Sequence, residues 1–368
     1  MIRLATVIGT FEADFLAQYR DRVRPEHYRA LGAMKHCRTQ ASLKMQAQCT
    51  ECAHQKLVPH SCGHRHCPHC QHHESQQWLE RQLKKQVPAE YFLLTFTLPA
   101  EFRALTWAHQ SVVYELLMRC CWETVRTFSQ NDQQLQGTPG AIAVLHTNTR
   151  QLEFHPHVHL VMPAAAVDGK RRQWRTKRSK AKGNYLFNHK ALAKVFRAKL
   201  LAALAAAGLA LPERYSKAWV VDCKAVGSGE AALIYLGRYL YRGVIQEKDI
   251  VACNNGQVSF RYRDAKTGKM QLRTVSGAHF LWLVLQHVLP KGFRRARNFG
   301  FLHPNCKRLI ALLHVLLKFA PGRALAWFKE RAPILCTCCG AVMVIVKTRI
   351  RSVFSGVMPV PIATQGAH

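Results

Sequence analysis

The stretch FHPHVHLVMP, residues 154–163, decides how this chain is interpreted. Its alternation of apolar residues and histidines predicts a β-strand, because side chains along a strand point to opposite faces in turn. Its apolar residues then lie on one face, and His155, His157 and His159 lie on the other. Successive histidines are roughly 6–7 Å apart between Cα atoms, so two neutral imidazoles can bind one metal ion. The alternative is a half-exposed strand whose histidines only meet water.

A second strand is predicted just before it, in the sequence AIAVLHT. A short turn centred near Gln151 would join the two strands in a hairpin. In that register His146 lies beside His157 and is the candidate third metal ligand. Glu153 and Asp222 are the alternative third ligands.

Charge is the strongest global feature, with 53 Lys and Arg against 21 Asp and Glu and a formal net charge of +32. A field of that size favours a polyanionic partner, and nucleic acid fits best because the charge is spread along the whole chain. The sequence has no apolar run near the ~18–20 residues that a membrane span needs. It also lacks the features of a signal peptide. We expect a cytoplasmic, nucleoid-associated protein without membrane contact.

Cysteines are clustered, with six of the 14 between Cys37 and Cys70. The pairs Cys49-x-x-Cys52 and Cys67-x-x-Cys70 would supply four thiolates to one structural zinc ion. A redox dithiol is the alternative. A possible second zinc site would use Cys37, Cys62 and His66. A further pair, Cys336-x-x-Cys339, could complete a site with ligands from elsewhere.

A helix is predicted to run from Ser228 to about Arg242 in GSGEAALIYLGRYLYRGV. Tyr235 and Tyr239 are four residues apart, so they share one face of this helix. Arg238 and Arg242 form a second pair with the same spacing. The alternative for the tyrosines is an ordinary aromatic core.

Several basic segments could contact DNA. The insertion 169–183 carries Trp174 among its cations, and LPKGFRRARNFG, 289–300, interleaves cations with Phe293 and Phe299. Such a mixture suits single strands, because cations bind phosphates and rings stack on bases. The candidate DNA-binding side chains are Arg171, Arg172, Arg175, Arg238, Arg242, Arg261, Arg263, Lys291, Arg294 and Arg295.

A metal-binding histidine pair, a tyrosine and a basic surface together suit phosphodiester cleavage by a tyrosine nucleophile. The phenol has a pKa near ~10 and needs help at neutral pH. A divalent ion can polarise the scissile phosphate and stabilise the developing charge. A covalent tyrosine–DNA ester preserves the bond energy for rejoining. A second tyrosine could hold a second strand.

These residues resemble the His-hydrophobic-His (HUH) single-strand endonuclease superfamily. Within it, the chain resembles the two-tyrosine, rolling-circle insertion-sequence transposases of the IS91 type. Matching motifs occur in the same order from about residue 30 to about residue 310: SCGHRHCPHCQ, WLERQLKKQVPAEYFLLTFTLP, AVLHTNTRQLEFHPHVHLVMP, YLGRYLYRGVI, FRYRD and LPKGFRRARNFGFLH. One departure is Thr337, where the terminal Cys-Pro-x-Cys-Gly pattern has proline.

The resemblance implies an α+β fold, with a central antiparallel sheet flanked by helices after a small zinc-binding domain. It implies that His157 and His159 bind Mg²⁺ or Mn²⁺. It also implies that Tyr235 and Tyr239 are nucleophiles acting on single-stranded element ends, with target DNA as a further partner.

Two alternatives to a transposase stay open. One is a rolling-circle replication initiator or relaxase with the same chemistry, and the other is a non-enzymatic zinc-dependent nucleic-acid-binding protein. The expected organisation is an N-terminal helical arm (1–35), a zinc-binding domain (36–73), a linker helix (74–88), an HUH-type catalytic domain (89–310), and a C-terminal helix and tail with Cys-x-x-Cys (311–368).

Overall fold

The computed structural model of the chain describes residues 2–70, 72–177, 185–241, 243–265, 267–321 and 333–350. The side chains of residues 72, 73, 238, 239 and 241 lie outside that description. Arg242 and the second half of the basic insertion 169–183 therefore lie outside the described residues, as does the tail after residue 350.

Helices and strands alternate irregularly along the described chain. The helices are Leu4–Tyr19 (α1), Pro25–His36 (α2), His72–Leu83 (α3), Arg103–Ala108 (α4), Gln110–Asn131 (α5), His189–Ala206 (α6), Glu230–Tyr241 (α7), Gly277–Leu285 (α8) and Lys307–Leu316 (α9). The strands are Lys44–Cys49 (β1), Gln55–Pro59 (β2), Tyr91–Thr97 (β3), Thr138–Asn148 (β4), Phe154–Pro163 (β5), Ala165–Asp168 (β6), Gln173–Thr176 (β7), Val221–Ala225 (β8), Ile250–Asn254 (β9), Gln257–Arg263 (β10), Met270–Ser276 (β11), Ala296–Gly300 (β12), Ile334–Leu335 (β13) and Val342–Ile350 (β14).

The central sheet has the strand order β7-β6-β4-β5-β3-β8, with β12 also paired to β4. Each pairing within it is antiparallel. Strands β4 and β5 form the hairpin expected from the sequence, and His146 stands opposite His157. The expected α+β fold with an antiparallel sheet is confirmed.

Helices cover both faces of the central sheet, because β5 and its neighbours alternate. On one face, Phe96, Val158 and Leu160 are buried in a cluster with residues of α5 and α6. On the other face, Val144 and Val161 are buried with residues of α3 and α7. The histidines of β5 lie on this second face, so the fold brings α7 to the same side as the histidine row.

The N-terminal helices pack beside the sheet. Helix α1 lies along α8, and Phe15 is fully buried in a cluster that includes Phe260 and Phe280. The three-stranded sheet β11-β10-β9 contributes to the same cluster. Within it, β10 and β11 pair antiparallel, from Gln257 opposite Ser276 to Arg263 opposite Met270.

A third sheet joins distant parts of the chain. It has the order β13-β14-β1-β2, and we call it the ribbon sheet. Strand β14 pairs antiparallel with β1, with Met343 opposite Cys49. The segment expected to be a C-terminal tail therefore returns to the N-terminal cysteines. Among the described residues, no helix is long and apolar enough to cross a membrane.

Candidate active site and cysteine clusters

Three imidazoles converge on the face of the hairpin that α7 covers. The ring centroids of His146 and His159 are 4.2 Å apart, and that of His157 lies 5.1 Å from His146 and 5.0 Å from His159. One ring nitrogen from each histidine lies within 4.8 Å of the others. The three residues therefore fit the ligand set of one metal ion.

Burial keeps these imidazoles neutral. It lowers the pKa of His157 to about 4 and that of His159 to about 3. Burial, together with the neighbouring His159 and His157, also holds the pKa of His146 well below its ordinary value. Neutral imidazole is the form that binds metal, so the donor set suits a cation at neutral pH.

Hydrogen bonds distinguish His155 from the ligand candidates. The Nδ1–H of His157 donates to the carbonyl of His155 over 2.7 Å. The unprotonated nitrogen of His157 is therefore Nε2, which is the atom that can bind a metal ion. The guanidinium of Arg103 donates to Nδ1 of His155 over 3.1 Å. Because a guanidinium can only donate, Nε2 of His155 carries the proton, and this histidine is not a metal ligand.

The two carboxylates considered as alternative third ligands lie elsewhere. Glu153 forms an ion pair with Arg273, at 2.7 Å. Asp222 lies on β8, where it is exposed and paired with Thr95 rather than with a histidine strand. The structure therefore brings His146 to the histidine pair and brings neither carboxylate.

A buried histidine after α8 holds the hairpin turn. Nε2–H of His287 donates to the carbonyl of Leu152 over 2.9 Å, and Nδ1 lies 3.2 Å from the hydroxyl of Thr147. The same carbonyl also accepts from the amide of Gln286 over 2.7 Å. Leu152 has a φ of 68°, a backbone conformation that costs energy in a branched residue. Sequence reasoning missed His287, because nothing near it along the chain marks it.

Tyr235 stands over the histidine row. Its ring centroid lies 6.1 Å from that of His159 and 6.4 Å from that of His146. The side chain is 49% exposed and opens into a cleft. Desolvation raises the pKa of its phenol, and the charge of Arg150 opposes that shift. The side chain of Tyr239, one turn further along α7, lies outside the described part of the structure, as does that of Arg238.

Two glycines let α7 approach its neighbours closely. A Cβ on Gly229, which has a φ of 81°, would meet the ring of Tyr91 at 2.4 Å. A Cβ on Gly237 would lie 3.3 Å from the ring of Trp78 on α3. These contacts fix the helix against the sheet and against α3, and they fix where Tyr235 enters the cleft.

The cleft has a volume of about 970 Å³, and its described lining holds four arginines against two acidic residues, Glu230 and Asp249. Of the basic residues singled out from the sequence, Arg261, Arg263 and Arg295 line it. Arg150, in the β4–β5 turn, also lines it, and sequence reasoning missed it. A polyanionic strand would find both cations and Tyr235 there.

The other described basic candidates lie outside this cleft. Arg171 and Arg175 form ion pairs with Asp168, at 3.6 and 3.7 Å. Arg172, Lys291 and Arg294 are exposed. Their contact with DNA stays a prediction.

The aromatic side chains expected to stack on bases pack into the protein instead. Phe293 is buried against Tyr114, and Phe299 stacks on Trp122 with ring centroids 5.2 Å apart. Trp174 meets Phe301 edge to face at 5.4 Å. The expectation failed because these segments form strands or lie against the sheet, which turns their rings inward.

The cysteines form two groups, and the grouping corrects the sequence prediction. Cys49 and Cys52 do not share a site with Cys67 and Cys70. Instead, Cys37, Cys62, Cys67 and Cys70 lie together, with ligand atoms within 4.8 Å of one another, and we call them the core cluster. Cys49, Cys52, Cys336 and Cys339 form a second group with the same spacing, which we call the ribbon cluster. Cys49 ends β1 of the ribbon sheet, whereas Cys67 and Cys70 are buried with residues of α1 and α8. Closeness along the chain therefore does not place the two Cys-x-x-Cys pairs in one site.

His66 is not part of the core cluster, although the sequence placed it with Cys37 and Cys62. Its Nε2 accepts from the backbone N–H of Leu289 over 3.2 Å. Its neighbour Arg65 donates to the carbonyls of Leu289, Pro290 and Phe293 over 2.7–3.1 Å. These residues attach the cysteine module to the segment before β12.

The core cluster also borders the end of α7. A Cβ on Gly243 would lie 3.1 Å from the carbonyl oxygen of His66 and 3.2 Å from Pro68. His69 forms an ion pair with the buried Glu247 at 2.8 Å, and Glu247 also accepts from the backbone N–H of Leu4. The knuckle Cys67–Cys70 therefore contacts the segment that leaves α7.

Comparison with known proteins gives consistent matches. The family model "Putative transposase" matches residues 140–309, and the model "Transposase zinc-binding domain" matches residues 7–98. The first range contains the histidine row, α7 and all the described residues that line the cleft. The second contains the core cluster and the first half of the ribbon cluster.

Two curated relatives match over most of their lengths. The chain is 34% identical over 324 residues to "Putative transposase y4qJ" of Sinorhizobium fredii (strain NBRC 101917 / NGR234), covering 80% of each chain. It is 27% identical over 326 residues to "Transposase for insertion sequence element IS801" of Pseudomonas savastanoi pv. phaseolicola, covering 80% of this chain and 76% of that one.

A solved structure also matches in part. It is titled "Conjugative Relaxase TrwC in complex with mutant OriT Dna" and is 22% identical, with a TM-score of 0.26. The match covers 35% of this chain and 48% of that one. A TM-score of this size does not indicate a shared overall fold.

Proposed function

Because this chain belongs to the transposases of the IS91 type, which carry an N-terminal zinc-binding domain, we propose that it cuts and rejoins single-stranded DNA through a covalent phosphotyrosine. The observation that carries the proposal is the position of Tyr235. Its ring lies 6.1 Å from the ring of His159, above three imidazoles that can share one cation. A tyrosine in that position has the cation site and the basic cleft within reach.

His146, His157 and His159 would hold a divalent ion, Mg²⁺ or Mn²⁺. Their nitrogens fit one ion, and burial keeps them unprotonated. When bound, such an ion acts as a Lewis acid on a phosphate oxygen and favours the ionised phenol nearby. The hydrogen bond from His157 Nδ1 to the carbonyl of His155 turns Nε2 toward this position.

The proposed step is a transfer between two phosphate esters. The Tyr235 oxygen bonds to phosphorus, the bond from phosphorus to a sugar oxygen breaks, and the phenol proton is balanced by the proton on the released hydroxyl. Attack on the phosphotyrosine by another sugar hydroxyl reverses these changes and joins two strands without ATP. Arg150, Arg261 and Arg263 line the cleft and would bind the strand through its phosphates.

Tyr239 is proposed as the second nucleophile. It lies four residues after Tyr235 in α7, so the two share a helix face. Two tyrosines one turn apart could each hold a DNA end, which suits strand transfer better than simple hydrolysis.

The core cluster would hold the structural zinc of the zinc-binding domain. Four thiolates form a closed tetrahedral zinc site, which has a structural rather than a catalytic role. Three of these cysteines, Cys37, Cys67 and Cys70, are buried. Their contacts with the segment after α7 would make this zinc a support for the cleft.

The experiment uses labelled single-stranded oligonucleotides that span the two ends of the insertion element encoding this chain. With Mn²⁺ or Mg²⁺, we expect a protein–DNA adduct that survives denaturing electrophoresis. Tyr235→Phe should lose the adduct at one cleavage position, and the double variant Tyr235→Phe with Tyr239→Phe should lose it entirely.

Tyr185→Phe is the matched control, because Tyr185 is 45% exposed, similar to Tyr235, and lies outside the cleft. It should form the adduct as the natural chain does. An adduct that persists in the double variant would contradict the tyrosine mechanism. Binding without any adduct under both metals would favour a non-enzymatic DNA-binding protein.

A further inference from the structure

We propose that the ribbon cluster binds a second structural zinc ion, which joins the N-terminal cysteine module to the segment 333–350. This site is distinct from the core cluster and takes two ligands from each end of the described chain. It extends the protein's metal content and adds a zinc-dependent contact between chain ends, independently of the tyrosine chemistry.

The four sulfur atoms of the ribbon cluster are already grouped as ligands of one ion. Sγ of Cys339 lies 3.4 Å from that of Cys49 and 3.5 Å from that of Cys52, and Sγ of Cys52 lies 3.6 Å from that of Cys336. A disulfide would require about 2.05 Å, so the sulfurs are separate thiols. Four separate thiols at such distances suit a tetrahedral thiophilic cation.

The two halves of the site have the same backbone construction. The N–H of Cys49 donates to the carbonyl of His54, and the N–H of Cys336 donates to the carbonyl of Ala341, both over 2.8 Å. The residue after each second cysteine has a left-handed backbone, with φ of 56° at Ala53 and 73° at Gly340. The two stretches share the pattern Cys-Thr-x-Cys, at 49–52 and 336–339, and adopt one shape.

Backbone N–H groups in both halves point at sulfur. The N–H of Glu51 lies 3.4 Å from Sγ of Cys49, and the N–H of Cys338 lies 3.4 Å from Sγ of Cys336. Hydrogen bonds to a charged group favour the charged form. The two knuckles are thus prepared to hold thiolates, the form that binds metal.

The ribbon sheet cannot be stabilised by its own apolar core. Among the described residues, its cluster contains only Ala47, Cys49, Cys336 and Met343 as buried residues, and two of these are proposed metal ligands. On β14, Val342, Val344, Ile345 and Val346 are all exposed. A sheet with so small a core needs a metal or a covalent cross-link, and metal binding then supplies folding free energy.

The ion would close a very long loop. Cys52 and Cys336 are 284 residues apart in the sequence. They lie next to β1 and β14, which pair with each other in the ribbon sheet. Holding together such distant segments is where a cross-link has its largest entropic effect. Zinc at this site would therefore keep the segment 333–350 folded on the N-terminal module.

Metal content of the purified full chain tests the proposal. After dialysis against a chelator to remove loosely held ions from the histidine site, the natural chain should retain two zinc ions. The double variant Cys336→Ser with Cys339→Ser should retain one. The matched control is Cys338→Ser, because Cys338 is an exposed thiol between the two ligands and outside the cluster. It should retain two.

Cobalt substitution separates ligand loss from misfolding. Co²⁺ bound by thiolates gives an intense charge-transfer absorbance, which should fall by half per chain in the double variant and stay unchanged in Cys338→Ser. Hydrogen exchange should show lost protection in β14, with the central sheet still protected.

Three results would overturn the proposal. One is a single zinc in the natural chain, and another is an unchanged zinc content in the double variant. The third is a disulfide among these four cysteines, detected by mass spectrometry of alkylated but unreduced protein. Iron in place of zinc would keep the site and overturn the identity of the ion.

Discussion

The core cluster and the ribbon cluster have the same four-cysteine composition but very different surroundings. Cys37, Cys67 and Cys70 of the core cluster are buried in a large apolar cluster shared with α1 and α8. The ribbon cluster lies in a separate group that has only four buried residues within the described part of the chain. A zinc ion in the core cluster would add to an apolar core that is already well packed. A zinc ion in the ribbon cluster would stabilise a sheet that has almost no apolar core. The consequences of losing each site should differ accordingly.

The largest expected effect is the loss of the core cluster. Cys67→Ser should remove its zinc and leave a polar group in a buried site, so we expect at least about 3 kcal/mol of lost stability. Thermal unfolding should then begin well below that of the natural chain, and the tyrosine–DNA adduct should disappear because α7 loses its support. Differential scanning calorimetry and the oligonucleotide assay measure both effects.

Cys339→Ser is the comparison for Cys67→Ser. It should leave the main unfolding transition within a few degrees of that of the natural chain and keep adduct formation, because no ribbon-cluster residue is among the described residues that line the cleft. Equal loss of stability and activity in both variants would show that the two clusters are not energetically distinct.

The second prediction concerns the β4–β5 hairpin, whose turn contacts His287 through hydrogen bonds. His287→Ala should remove the hydrogen bonds to Thr147 and Leu152 and leave a small cavity, at a cost of roughly 2–4 kcal/mol. We expect a lower thermal midpoint and a higher Mn²⁺ requirement for the adduct, since His146 and His157 lie on the two strands of this hairpin.

The matched change is His109→Ala, at an exposed histidine between α4 and α5. It should leave both the thermal midpoint and the Mn²⁺ requirement unchanged. The role assigned to His287 is wrong if its variant needs no more Mn²⁺ than the natural chain does.

The third prediction tests how the core cluster is attached to the central sheet. Arg65→Met keeps most of the apolar stem but removes the bonds to the three carbonyls of the segment 289–293. We expect the free energy of unfolding to fall by about 1.5–3 kcal/mol, the usual contribution of a hydrogen bond from a charged group. We count the three bonds as one contribution because they come from a single guanidinium. Urea unfolding should show that decrease with an unchanged slope.

Lys56→Met supplies the corresponding loss of charge on the ribbon sheet, where Lys56 is exposed on β2. Its unfolding midpoint should stay close to that of the natural chain. A similar decrease in both variants would mean that net charge, rather than the Arg65 contacts, sets the stability.

The regions differ in how far the sequence predicts them. The hairpin of β4 and β5 is local, so its alternation, its turn and the pairing of His146 with His157 follow from a few neighbouring residues. The ribbon cluster depends on β14 pairing with β1 across almost 300 residues, as the separation of 284 between Cys52 and Cys336 indicates. Local spacing carries no information about such a pairing, so the sequence alone favours the nearest Cys-x-x-Cys pair, Cys67 and Cys70, as the partner of Cys49 and Cys52.

The same limit explains the aromatic residues. Phe293 and Phe299 alternate with arginines, a pattern that fits both a single-strand-binding surface and a sheet edge. Only the pairing of β12 with β4 decides that Phe299 stacks on Trp122. His287 was missed for a similar reason, because it holds a turn that lies 135 residues away along the chain. Arg150 lies in that turn, but a lone arginine there carries no pattern that predicts a cleft.

The smallest expected effect comes from Gly243, where the core cluster meets the end of α7. Gly243→Ala would bring a methyl group within 3.1 Å of the His66 carbonyl and 3.2 Å of Pro68, so the knuckle must shift by a few tenths of an ångström. We expect a cost of about 1 kcal/mol and a two- to fivefold slower adduct formation at saturating Mn²⁺.

Gly256→Ala is not a clean control, because its φ of 72° adds strain. Gly32→Ala is suitable, since a Cβ there meets no atom within 4 Å. An unchanged rate in Gly243→Ala with a lowered midpoint would mean that this contact stabilises the fold without positioning Tyr235.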